Sequence, residues 1–274
     1  LMPYVLTFND KLTSCTIDDK TRNQIITYNK VDKTTSVSGL LCKSIMISRN
    51  GETPSPFDCY YLEMHDGNSR IILPLESETH VRSLAGIPKL FVHFPLIPQN
   101  GQDYFGVNFL FHSHLFTPEE PRDNIIVPKD NDATEKSASA NKKVLDEMTA
   151  ELWNFLETNI DTWTNTIEMA SIDIRCSGFN DSITESYYKK LKDDWTTEFS
   201  KLKMMDIDGI KYSMREENHP VVLEPELCSF LSNDQENDYL SVIYPFAKGA
   251  AKIPNKDTEY LFTAIYNKKI LKKV

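Results

Sequence analysis

The spacing of apolar residues changes once along this 274-residue chain, and that change limits what it can fold into. Up to about residue 128 the apolar residues alternate or come in short runs, the pattern of strands that place neighbouring side chains on opposite faces. From Val144 the period lengthens towards that of a helix. Val144, Met148, Leu152, Phe155 and Leu156 fall on one helical face, and Ile160 and Trp163 extend it. The expectation is an α+β chain: a mixed sheet over residues 1–130, then a helix-rich region over 131–274.

Turn residues divide the first part. Pro3 to Phe8 and Leu12 to Ile17 are predicted strands, joined as a hairpin by Asn9-Asp10-Lys11. Gln24 to Tyr28, Leu40 to Ile47 and Cys59 to Met64 continue the pattern. Asn50-Gly51 and Asp66-Gly67 mark turns, the second predicting a hairpin between Tyr60–Met64 and Arg70–Leu73. The most apolar segments, Lys89 to Leu96 and Tyr104 to Leu115, are expected as a pair at the centre of the sheet. Residues 129–143 read as a polar linker or long loop leading into helix. Ser182 followed by Glu185 predicts a capping box at the start of a second helix with the stripe Tyr187, Leu191, Trp195, Phe199 and Leu202. Gly209 suggests a turn, Val221-Val222-Leu223 a short strand, and Asp257 to Lys272 a last helix with lysines in its final turns.

Composition excludes several classes of function. The net charge is −10, which argues against a broad nucleic-acid-binding face. The five cysteines are scattered, odd in number and without CxxC spacing, as expected for free thiols in a reducing compartment. No apolar run approaches the ~20 residues of a membrane span and no signal peptide is legible, so the cytoplasm is the expected location. The chain begins Leu1-Met2-Pro3 and stops at what reads as the end of a helix, so both ends read as those of a fragment.

No complete catalytic site is legible. GxSxG, HExxH and GxxxxGK[ST] are all absent, and nine glycines are few for loops that wrap phosphates. His112 and His114 share one face of a predicted strand, with His93 on its neighbour. Together they form a weak candidate for a three-histidine zinc site and a hydrolase built on it. Glu119, Glu120 and Asp123 read as a solvated acidic loop around Arg122 rather than as paired catalytic carboxylates. Arg122 follows an apolar strand and carries a planar donor fork suited to phosphate oxygens. Trp153, Trp163 and Trp195 would form a protein-binding face if exposed, the basis of an alternative reading as a non-catalytic interaction module.

Leu90-Phe91-Val92-His93-Phe94-Pro95-Leu96-Ile97, then Phe105 through Ser113, then Phe116 through Arg122-Asp123, resemble a block in sacsin-like proteins and in bacterial relatives of the ninety-kilodalton heat-shock chaperones. There the block follows a GHKL ATPase domain. The opening Leu1 to Ser14 resembles the segment directly after that domain, and Ile243-Tyr244-Pro245 with Ile253-Pro254 is a fainter match. The resemblance implies that this chain is the middle, or transducer, part of a chaperone-like ATPase. It implies an α/β unit with a left-handed βαβ crossover, an exception to the usual hand. Its partners would be an N-terminal ATP-binding domain of the same polypeptide and protein clients. ATP and Mg would belong to that parent protein, with no cofactor held by this chain. Arg122 is the position matching the basic residue that reaches the γ-phosphate, although here acidic and proline residues surround it. The ATP-binding half, with its helix-borne Glu/Asn pair and DxGxG loop, is not found. This chain alone is therefore expected neither to bind nor to hydrolyse ATP well.

Overall fold

In the computed structural model, which describes residues 1–98, 104–130, 132–207 and 210–213, the chain enters as a helix and not as a strand. Helix α1 spans Met2–Phe8 and buries all of Pro3 to Phe8. A six-residue apolar run carries no alternation, so periodicity cannot separate a buried strand from a buried helix. Pro3 sits in the first turn, where a helix needs no backbone donor. A helix this short is marginal alone. Packing holds it: Tyr4, Val5 and Phe8 lie against Cys59, Tyr61, Ile72, Phe91 and Leu110.

The predicted first hairpin therefore falls one element later. Asn9 closes the helix exit instead, its Oδ1 accepting from the Lys11 and Leu12 amides at 3.1 and 3.3 Å. Strands β1 (Ser14–Asp19) and β2 (Gln24–Lys33) pair antiparallel around a turn in which Asp19 accepts from the Thr21 and Arg22 amides. Strands β3 (Leu41–Arg49), β4 (Ser55–Glu63) and β5 (Ser69–Ile72) continue the meander. Both predicted turns are present. Asn50 and Gly51 have φ of 47° and 77°, and Asp66 accepts from the Asn68 and Ser69 amides.

The two apolar segments do reach the sheet, but not as one central pair. They form β6 (Leu90–Val92), β7 (Phe94–Pro95), β8 (Phe105–Val107) and β9 (Leu110–Ser113). The eight-stranded sheet runs β1-β2-β3-β4-β5-β9-β6-β7, and β6 lies parallel to β9. The described residues between β6 and β9 contain no helix, so the implied βαβ crossover is not seen among them. Strand β8 leaves to pair with β10 (Ile172–Ile174). Gly106 permits that approach, because a Cβ there would stand 2.1 Å from the Asp173 carbonyl oxygen. The break between β8 and β9 is made by Asn108. Its Oδ1 accepts from the Leu84 amide at 2.7 Å, and its Nδ2 donates to the carbonyls of Arg82 and Glu168 at 3.1 and 2.9 Å. A buried amide in mid-run must find such partners, and these three lie off the sheet ladder.

Alternation gives the sheet two covered faces. Tyr60, Leu62, Ile71 and Phe111 join one cluster, whereas Cys59, Tyr61, Ile72 and Leu110 join the smaller cluster under α1. The larger face is covered by α2 (Glu135–Asn159) and α3 (Ser182–Lys201), so side chains from before and after residue 130 share one core. Helix α2 begins well before Val144, inside the predicted linker. Asn141 draws the early turns inward by exchanging hydrogen bonds with both backbone groups of Thr117 and donating to the Ile126 carbonyl. Leu145, Met148, Leu152 and Leu156 then form the buried stripe. The cap of α3 is Asp181 and not the predicted Ser182. The Asp181 carboxylate accepts from the Ile183 amide at 2.9 Å and from the Thr184 hydroxyl at 2.8 Å. Strands β11 (Met205–Ile207) and β12 (Ile210–Tyr212) form a ribbon. The predicted strand at Val221–Leu223 and helix at Asp257–Lys272 lie outside the described residues.

Candidate functional site

Two groups of side chains singled out by the sequence meet at the β6–β7 end of the sheet. Strand β9 points Leu110 towards α1 and Phe111 towards α2 and α3, so His112 points towards α1. Its imidazole stacks on the Phe8 ring, with centroids 5.0 Å apart and planes at 16°. In register, His112 lies between Arg70 on β5 and Phe91 on β6. Those neighbours seal it: His112 is 1% exposed. Neither of its ring nitrogens has a hydrogen-bond partner among the described residues.

His93 reaches the same place from the tight turn between β6 and β7. Val92 pairs with Phe94 around it, and its φ of 63° turns the chain. His114 follows β9, held by its amide to the Asn68 carbonyl at 3.1 Å. The three rings converge, His114 lying 4.6 Å from each of the other two by centroid. One nitrogen from each lies within 4.8 Å of the others, with His112 buried and His93 and His114 exposed. The sequence expected His112 and His114 on one strand face; His114 instead lies in the turn just past β9, with its ring still beside His112, and the parallel β6–β9 pairing brings His93 to them.

Beside this cluster lies one charged network. Arg70 bridges Asp10, at 2.8 and 2.6 Å, and Glu63, at 3.1 and 2.7 Å, and donates to the Thr7 carbonyl at the end of α1. Its hydrogen bonds hold the Asp10 carboxyl below the usual aspartate range. Burial, helped by His114 and Arg70, pushes the His112 imidazole down to about 3. His114 is lowered in the same sense, by burial and then by His93. His112 is therefore neutral across physiological pH, the ligand form of imidazole.

Arg122 sits on the loop between β9 and α2 and is exposed. Its Nη2 donates to the Val92 carbonyl at 3.3 Å, one residue from His93. The loop is braced by a bridge from Pro118 to Ile125 and by the Asn124 side chain donating to the Tyr188 hydroxyl at 2.6 Å. Among the described residues no carboxylate pairs with Arg122, and Glu119 is engaged by Lys129 instead. Arg122 thus forms no local ion pair with the acidic residues of its own loop among the described residues. Arg122 has a φ of 67°, a left-handed conformation costing about 1–3 kcal/mol in a non-glycine residue.

The tryptophans do not make a binding face. Trp163 and Trp195 are buried, and half-buried Trp153 packs edge-on against Trp195 and Phe199. A groove of about 540 Å³ is lined by Lys89, Asn108, Asp173 and Arg175 among others. Sequence reasoning passed over Asn108 and Arg70, whose signal was a polar residue inside or beside an apolar run, and Asn141, which carried no such signal within a polar stretch. No helix among the described residues is long and apolar enough to cross a membrane. No family model matches the chain, and neither curated proteins nor solved structures yield a match.

Proposed function

We propose that this chain is the coupling part of a GHKL-type ATPase, with Arg122 presented to the γ-phosphate of ATP held by an adjoining domain. One observation carries the reading. Arg122 stands exposed on a braced loop, unpaired with any carboxylate among the described residues although Glu119, Glu120 and Asp123 are its chain neighbours. Arg122 makes one side-chain hydrogen bond, from Nη2 to the Val92 carbonyl, and pairs with none of these carboxylates among the described residues, so the rest of its fork is left for an anion from outside. The left-handed backbone at Arg122 supports the same reading, since strained residues concentrate where a side chain must be aimed.

The chemistry follows from the guanidinium. Charge spreads over the phosphoryl oxygens during transfer, and a fixed cation there stabilises the transition state more than the ground state. Coupling would arise because the same loop leads into α2, which packs on the sheet, so a phosphate gripped by Arg122 pulls on the core. The test is ATP turnover by the full-length polypeptide that contains this chain. Arg122→Ala should lower turnover by about a hundredfold or more. Arg122→Lys should retain part of the activity, and Arg122→Gly separates backbone strain from lost charge. Unchanged turnover in Arg122→Ala, or no ATP turnover in the wild-type polypeptide, overturns the reading.

A further inference from the structure

We propose that His93, His112 and His114 form a binding site for a first-row transition-metal dication of the zinc class, with a solvent-facing open coordination position. The argument starts from His112. Buried polar groups in folded proteins find partners, and a buried one without costs about 1–3 kcal/mol. The ordinary explanation of a buried histidine, a ring satisfied by nearby carbonyls or carboxylates, fails here. Both of its nitrogens are orphaned among the described residues. The groups at hand are two further imidazoles, each offering a nitrogen within 4.8 Å.

A tetrahedral zinc ion bound at 2.0–2.1 Å sets its nitrogen ligands roughly 3.3 Å apart. The cluster must therefore close by no more than about 1.5 Å. The geometry divides that task sensibly. His112 is fixed by the Phe8 stack and by strands on both sides, while the rings that must turn, His93 and His114, are exposed. Exposure of those two also leaves one side open to water, as at zinc sites with three protein ligands.

The donor set selects the class of ion. Three imidazole nitrogens suit zinc, cobalt, nickel or copper, whereas calcium and magnesium require oxygen ligands. Asp10, the carboxylate whose charge acts on His112 and His114, is already held by Arg70 through both its oxygens. The bound ion would tie the β6–β7 turn to the end of β9, and so stiffen the backbone on which Arg122 rests at Val92.

The test uses the whole chain, stripped with a chelator and titrated with Zn(II) and, for its spectrum, Co(II). The expected result is one equivalent bound, visible cobalt d–d bands of a low-coordinate nitrogen site, no thiolate-to-cobalt charge transfer, and a raised Tm with zinc. His93→Ala and His114→Ala alter exposed residues, so both should fold, checked by circular dichroism, and each should weaken binding at least about tenfold through loss of one of three protein ligands. No saturable binding, a thiolate band, or unchanged affinity in both variants overturns the proposal.

Discussion

Replacing Asn108 by Ala should be among the most damaging single changes in the described part of this chain. Asn108 is 3% exposed and makes three hydrogen bonds that bind separate segments to the break between β8 and β9. Each contributes about 1 kcal/mol net, and each backbone partner left unsatisfied in a buried site costs about 1–3 kcal/mol. Water can reach some of these partners after truncation, so the loss should total about 3–5 kcal/mol. That is a large part of the 5–15 kcal/mol typical of a domain. The assay is urea denaturation of the whole chain, followed by tryptophan fluorescence. The buried Trp163 and Trp195 report on the core beside this break. The midpoint should fall with the slope unchanged. Asn108→Asp sharpens the test. It keeps the acceptor for the Leu84 amide but sets a carboxylate against two carbonyl oxygens, so at neutral pH it should be no better than Ala. A loss below about 1 kcal/mol for Asn108→Ala, or a near-wild-type Asp variant, would refute the reasoning.

Two further outcomes follow from the titrating groups. Arg70 holds the Asp10 carboxyl below its ordinary value, so the pair adds stability above the usual aspartate range near pH 4 and loses it as pH falls through the lowered value. Because Asp10 is largely exposed, solvent screening limits the effect to about 1 kcal/mol or less. Asp10→Asn should flatten that part of the stability–pH curve, and equal slopes in the two proteins would remove the pair from the account. Burial pushes the thiols of Cys59 and Cys42 up to about 12 and about 11. Since the thiolate is the reactive form, iodoacetamide with peptide mapping should label half-buried Cys15 well before either. Native-state labelling of Cys59 at the rate of Cys15 would contradict the burial.

Local chemistry determined much of this chain. The α+β order follows from the change of apolar period, because 2 and 3.6 residues per repeat are properties of the backbone itself. The turns at Asn50-Gly51 and Asp66-Gly67 rest on residues that tolerate left-handed backbone or bond their own amides, so they needed no distant partner. Likewise the two-residue spacing of His112 and His114 keeps their rings neighbours. Tertiary structure alone decided the rest. Pro3 to Phe8 became a helix because a pocket between β4, β5, β6 and β9 buries it on all sides. Asn108 split one apolar run into two sheets because its partners, at residues 82, 84 and 168, come from other segments. The sequence put His93 on a neighbouring strand, but the parallel β6–β9 register that brings its ring to the others joins segments whose alignment no single stretch of sequence encodes.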